Sequence, residues 1–65
     1  MDAVEIGKRL RELRGHLATR VVASRAGVTV SAWNMYERGK RIPRDPVKIR
    51  IANMFGKSVA SIFYN

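Results

Sequence analysis

Basic side chains cluster in the segment 38–50 and form its main chemical feature. Guanidinium and ammonium groups donate hydrogen bonds to phosphate oxygens and displace the counterions that surround a nucleic acid. A basic stripe on a small domain therefore predicts a polyanionic ligand, although the same charges would also favour solubility. The segment has one acid, Asp45, and six bases, which are Arg38, Lys40, Arg41, Arg44, Lys48 and Arg50.

Side chains that support catalysis or metal binding are sparse. The chain has one histidine, His16, and no cysteine, whereas a zinc site needs several such ligands. Its serines lack an accompanying arrangement of His and Asp, and Glu37 beside Arg38 suits an ion pair better than a catalytic acid. We therefore predict no enzymatic activity, no metal and no cofactor.

Length and charge narrow the class of protein further. The 65 residues carry 13 Lys and Arg against 5 Asp and Glu, a net charge of +8, and residues 1–12 are balanced, so the excess lies beyond them. We expect one domain, 1–65. A domain this short buries only about 60% of the surface that its unfolded chain exposes, so it needs efficient helix packing or a partner subunit.

Cellular location is predicted from what the sequence lacks. No apolar stretch of membrane-spanning length occurs, and the opening MDAVEIGKRL has acids where a signal peptide has bases. The absence of cysteine fits a reducing compartment. We expect a cytoplasmic protein without membrane contact.

Apolar periodicity and glycine positions predict two helices in the first half of the chain. A helix over about 3–14 has acids near its start and ends at Gly15. A second helix, about 19–25, ends at Gly27, which suits a left-handed C-terminal cap. The apolar face of the first helix consists of Ile6, Leu10, Leu13 and Leu17.

Three more helices are predicted in the second half. Thr29 offers an N-cap hydroxyl to a helix over about 30–38. The run VKIRIA alternates like a strand, but Asp45 as a cap and Pro46 in the first turn favour a helix over 46–55. Ser58 would cap a last short helix. The predicted fold class is all-α, a compact bundle of five short helices.

Residues 17–43, LATRVVASRAGVTVSAWNMYERGKRIP, have the pattern of a helix-turn-helix formed by the second and third helices. Small Ala23 allows a close helix crossing, and Gly27 permits a turn that a Cβ would oppose. Val28 and Trp33 are spaced to fill the angle between the helices. Such a crossing holds the third helix away from the body, so that it can enter a major groove.

The same residues resemble those of a known family. The opening IGKRLRELR at 6–14, the turn AGVT at 26–29 and the segment YERGKRIP at 36–43 resemble the lambda-repressor-like (XRE-type) helix-turn-helix regulators of bacteria and phages. The resemblance covers about residues 4–63 and is closest to short members that are little more than the DNA-binding domain. It implies sequence-specific binding of double-stranded DNA, repression of transcription, and binding as a homodimer.

The resemblance also assigns roles to individual residues. The third helix is the recognition helix, and its base-reading positions are Val30, Ser31, Asn34 and Met35. Phosphate contacts are expected from Thr19, Arg38, Lys40, Arg41, Arg44 and Lys48, with Arg20 as a further candidate beside Thr19. Arg14 and Glu37 match a structural ion pair. Separately, the apolar density of the C-terminal segment predicts a dimer interface that includes Met54 with Phe63 or Tyr64, the alternative being a monomer whose C-terminus only covers its own core.

The chain departs from the family pattern at three positions and in the loop between the first two helices, which is about two residues shorter than in the common form. Ala18 replaces the usual Ser or Thr cap of the second helix, Trp33 replaces the usual Ile or Val, and Val30 stands where many members have a polar base reader. We expect Trp33 in the core and Met35 on the outward face.

Two alternative functions remain open at this point. Val30 and Met35 on the outward face would also suit an antitoxin-like or anti-repressor-like protein-interaction module of the same fold. A cationic membrane binder is disfavoured, because four glycines interrupt any continuous amphipathic helix.

Overall fold

The structure, a computed structural model, describes residues 1–65 and is entirely helical. No helix is both long and apolar enough to span a membrane. The predicted fold of five short helices is confirmed, and the predicted helix bounds agree with the structure to within one residue. In chain order the helices are α1 (Ala3–Arg14), α2 (Thr19–Ala26), α3 (Val30–Glu37), α4 (Asp45–Phe55) and α5 (Val59–Phe63).

Side-chain oxygens cap three of the helices. Asp2 accepts a hydrogen bond from the Val4 N–H of α1, Thr29 accepts one from Ala32 of α3, and Ser58 accepts one from Ser61 of α5. These bonds satisfy donors that the first turn of a helix leaves unpaired.

The starts of the other two helices have no side-chain cap. Ala18 precedes α2 and forms no capping hydrogen bond, because its methyl side chain has no acceptor atom. The prediction that Asp45 caps α4 is wrong: Asp45 is the first residue of the helix, and Arg44 occupies the cap position without a side-chain bond. The Asp45 carboxylate instead lies in the first turn, where negative charge complements the helix dipole.

All five helices contribute to one apolar core. Trp33 and Tyr36 bring α3 into it, and their rings meet edge to face with centroids 6.2 Å apart. Leu17, predicted on the apolar face of α1, lies beyond the end of that helix and is exposed. The buried apolar residues are Ile6, Leu10, Val22, Ala23, Ala26, Trp33, Tyr36, Ile51, Ala52, Ile62 and Phe63.

Two glycines allow the contacts that orient α3. Gly27 has φ 72°, a left-handed conformation, and ends α2 at the turn into α3. Gly7 lies where α1 meets the C-terminal end of α3, and a Cβ built on it would lie 2.4 Å from the Glu37 carbonyl oxygen. The two helices therefore approach more closely than any side chain at position 7 would allow.

Candidate nucleic-acid interface

The outward side of α3 carries the residues predicted to read bases. Val30, Ser31 and Met35 are exposed and Asn34 is partly exposed, while Arg38 follows at the end of the helix. At 3.6 residues per turn these five positions span an arc of about 140° around the helix axis. The opposite side packs into the core through Trp33 and Tyr36, so α3 presents one continuous face to solvent.

A buried carboxylate anchors the C-terminal end of α3 to α1. The Glu37 carboxylate accepts hydrogen bonds from Arg14 Nε at 2.6 Å and from Arg14 Nη2 at 3.0 Å. It also accepts a bond from Trp33 Nε1 at 2.6 Å, and Arg11 Nε lies 3.8 Å away. The predicted Arg14–Glu37 ion pair is therefore present, and the indole donor adds a contact that the sequence did not predict. A bidentate guanidinium fixes the geometry of the carboxylate as well as neutralising it.

The electrostatics of this cluster favour the charged forms of both partners. Burial opposes ionisation of Glu37, but the hydrogen bonds from Arg14 and Trp33 outweigh it, so the pKa of Glu37 is lowered. The hydrogen bond to Glu37 likewise raises the pKa of Arg14. The carboxylate is thus held by structural contacts with Arg14 and Trp33.

Most of the predicted phosphate-binding cations are free on the surface. Arg38, Lys40, Arg41 and Arg44 lie at the end of α3 and in the loop before α4, all of them exposed. Arg20 is exposed in the first turn of α2, beside the partly exposed Thr19. The ion pairs of the structure involve Lys8, Arg11 and Arg14 and, of the predicted phosphate-binding cations, only Lys48.

The prediction that Lys48 binds phosphate disagrees with the structure. Its side chain is only 7% exposed. Its ammonium donates to Tyr64 Oη at 2.8 Å and to Asp45 at 3.4 Å, and lies 4.8 Å from the centre of the Tyr64 ring. The bond to Tyr64 raises the pKa of Lys48 despite burial, so the charge is retained and used inside the fold. Lys48 joins α4 to the C-terminal segment.

The predicted dimer residues separate into core and surface. Phe63 is buried in the core, so its placement at an interface with another copy is wrong. Tyr64 is 56% exposed, and Met54 is partly buried.

The structure adds Ile49, which is 52% exposed on α4 and was not singled out from the sequence. The alternation of apolar residues in VKIRIA could have predicted the exposure of Ile49, because on a helix residue 49 points away from the side that carries residues 47 and 51.

Arg50 has a structural contact that sequence reasoning missed. Its Nε donates to the Ala26 carbonyl at 2.8 Å, and its guanidinium lies beside Gly27. This bond satisfies a carbonyl at the C-terminal end of α2, where positive charge complements the helix dipole. Arg50 thereby fixes the turn of the helix-turn-helix to α4.

Two helices joined by a tight turn, the second of them solvent-facing beside a basic loop, define a helix-turn-helix DNA-binding domain. The chain belongs to the helix-turn-helix domain family, whose sequence profile matches residues 5–61, and within it is a lambda-repressor-like (XRE-type) regulator. It is thus a DNA-binding regulator of transcription.

A search of solved structures supports the same assignment. The chain is similar to the restriction-modification controller protein C.AhdI from Aeromonas hydrophila, with a TM-score of 0.84 and 30% sequence identity. The similarity covers 95% of this chain and 97% of that one. No match was found among the curated proteins.

Proposed function

We propose that this chain is a cytoplasmic repressor that binds its operator as a homodimer and inserts α3 of each copy into a major groove. The observation that carries the proposal is the outward face of α3, which presents Ser31 and Asn34 to solvent while Glu37 anchors the helix to α1. A recognition helix must be rigid, because hydrogen bonds to base edges depend on position.

Phosphate contacts on both sides of the groove complete the proposed complex. Arg38, Lys40, Arg41 and Arg44 would bind the backbone beyond the C-terminal end of α3. Thr19 and Arg20 at the start of α2 would bind it on the other side. If a dimer neutralises about 6–10 phosphates, its affinity falls about 10³–10⁵-fold between 50 and 200 mM salt.

The proposed dimer interface consists of Ile49, Met54 and Tyr64. Exposure of Ile49 and Tyr64 supports it, since neither apolar side chain is needed to close the core. Tyr64 is additionally held in place by Lys48, so it would offer a fixed surface to a second copy. A two-fold axis through this interface would relate two recognition helices, as binding to two half-sites one DNA turn apart requires.

The regulated genes are proposed from the structural comparison. C.AhdI is described as a restriction-modification controller protein, and the two chains match over nearly their whole lengths. We propose that this chain likewise controls the expression of a restriction-modification system.

Selection of bound duplexes from a random pool at physiological salt tests the proposal. A palindromic consensus with half-sites one helical turn apart is the expected result. Equal affinity for unrelated duplexes would contradict sequence-specific binding, and a single asymmetric half-site would contradict the dimer.

Matched charge variants distinguish specific operator binding from the general electrostatic attraction between a cationic protein and DNA. Arg38→Ala and Lys57→Ala each remove one positive charge, but Lys57 lies in a groove between α1 and α5, away from α3. We expect Arg38→Ala and Asn34→Ala to weaken operator binding and Lys57→Ala to leave it close to wild type. If neither Arg38→Ala nor Asn34→Ala affects binding, the outward face serves another partner, as a protein-interaction module would.

A further inference from the structure

Two apolar side chains lie at the edges of the outward face of α3. Val30 is 40% exposed and Met35 is 41% exposed. On a helical wheel they are about 140° apart, and Ser31, Asn34 and Arg38 lie between them. The face is therefore polar in its centre and apolar at both edges.

Packing does not account for these two residues. Trp33 and Tyr36 already fill the core beneath α3, and both are buried. Arg38 lies on the same face, and exposed Lys40 and Arg41 lie just beyond it. These charges favour a polyanion over an apolar protein as the ligand of this surface. Val30 and Met35 are therefore available for an apolar contact within a nucleic acid.

The major groove offers one such group, the C5 methyl of thymine. We propose that Val30 and Met35 bind pyrimidine C5 methyl groups, so that operator affinity depends on the methyl groups themselves. This inference rests on the proposed function and names the chemical feature that the recognition helix reads. Cytosine methylated at C5 presents the same group and would be bound in the same way.

The offset between Val30 and Met35 along α3 separates the two methyl groups. Val30 and Met35 are five positions apart, a rise of about 7.5 Å along the helix axis. Base pairs in duplex DNA are about 3.4 Å apart. The two side chains are therefore too far apart to share one methyl group, so each would bind a methyl group of its own.

Replacement of single thymines by deoxyuridine in the selected operator tests the inference. Uracil keeps the hydrogen-bonding groups of thymine and lacks only the methyl. We expect a loss of about fourfold in affinity at each of two positions per half-site, the loss expected for one methyl-sized apolar group left unburied. At the same positions, 5-methylcytosine should bind about fourfold more tightly than cytosine.

Protein variants assign each methyl group to a residue. Val30→Ala should abolish the uracil penalty at one position and Met35→Ala at the other. Lys57→Ala, in the groove between α1 and α5, should retain both penalties. These side chains are exposed, and thermal unfolding followed by circular dichroism verifies that each variant is folded.

The outcomes distinguish this inference from the proposed function. Specific binding to an operator that tolerates uracil at every position would overturn methyl reading and leave the regulator assignment intact. Uracil penalties that persist unchanged in both Val30→Ala and Met35→Ala would also overturn it, because other residues would then bind the methyl groups. Failure to select any operator would instead contradict the proposed function itself.

Discussion

Trp33 Nε1 donates a hydrogen bond of 2.6 Å to Glu37 Oε2, one turn further along the same helix. The carboxylate that receives it also receives two bonds from Arg14 of α1. The indole thus joins the core beneath the recognition helix to the ion pair that anchors its end. Donor and acceptor are four positions apart, a spacing that brings side chains together on a helix.

Trp33→Phe should destabilise the fold by about 2 kcal/mol, because it removes a hydrogen bond to a charged group and leaves part of the core unfilled. Urea unfolding monitored by circular dichroism measures the change. Tyr36→Phe is the matched control, since it alters the neighbouring aromatic residue of α3 without touching Glu37. Equal stability of the two variants would show that the indole bond contributes little.

Glu37 should make stability depend on pH in the acidic range. The pKa of Glu37 is lowered in the folded chain, whereas the pKa of a glutamate in an unfolded chain is about 4.3. The unfolded state therefore binds the proton more readily, so the contribution of Glu37 is present above about pH 5 and is lost as pH falls through the folded pKa.

Glu37→Gln should flatten this dependence, measured as urea midpoints between pH 3 and pH 7. Glu12→Gln changes an exposed acid that forms no ion pair, and it should retain the acid-induced loss seen in the unmodified chain. An unchanged profile in Glu37→Gln would assign the acid sensitivity to other carboxylates.

The helix bounds could be predicted because the signals for them are local. Gly15, Gly27 and Gly56 end helices, and Thr29 and Ser58 cap them, without reference to distant residues. The ion pair of Arg14 with Glu37 was also predicted, but only from the family resemblance. Periodicity alone cannot show that two residues 23 positions apart in the sequence are in contact.

The errors concern residues whose environment is set by tertiary packing. Lys48 lies in a basic segment, yet the course of the chain after α5 brings Tyr64 over its ammonium. Phe63 and Tyr64 are adjacent and apolar, and only the packing of α5 decides which one is buried. Charge and hydrophobicity in the sequence do not distinguish these cases.

Gly7→Ala should destabilise the fold by about 3 kcal/mol. Alanine favours a helix by about 1 kcal/mol over glycine, but its Cβ would lie 2.4 Å from the Glu37 carbonyl oxygen and 2.7 Å from that of Tyr36, both backbone atoms. Gly56→Ala is the control, because nothing lies within 4 Å and only the positive φ of 64° opposes it. We expect that variant to lose about 1 kcal/mol. A Gly7 variant as stable as the control would contradict the close helix contact.

Ile49→Arg should weaken dimerisation on the order of tenfold or more, because a two-fold axis would place the two introduced charges near each other. Sedimentation equilibrium measures the self-association. Leu17→Arg is the matched control, since Leu17 is also an exposed apolar residue but lies in the loop before α2. Equal self-association of the two variants would exclude α4 from the interface.

Lys40→Met and Lys48→Met make the same substitution at an exposed and at a buried lysine of the basic segment. Lys40→Met should lower the slope of log affinity against log salt by about 1 per protomer, because one phosphate contact is lost. Lys48→Met should leave the slope unchanged, since its ammonium is held by Tyr64 inside the fold. Fluorescence anisotropy titrations of the selected operator between 50 and 300 mM salt, a range in which phosphate contacts dominate the response, measure both slopes. A reduced slope in Lys48→Met would mean that Lys48 leaves Tyr64 to bind DNA.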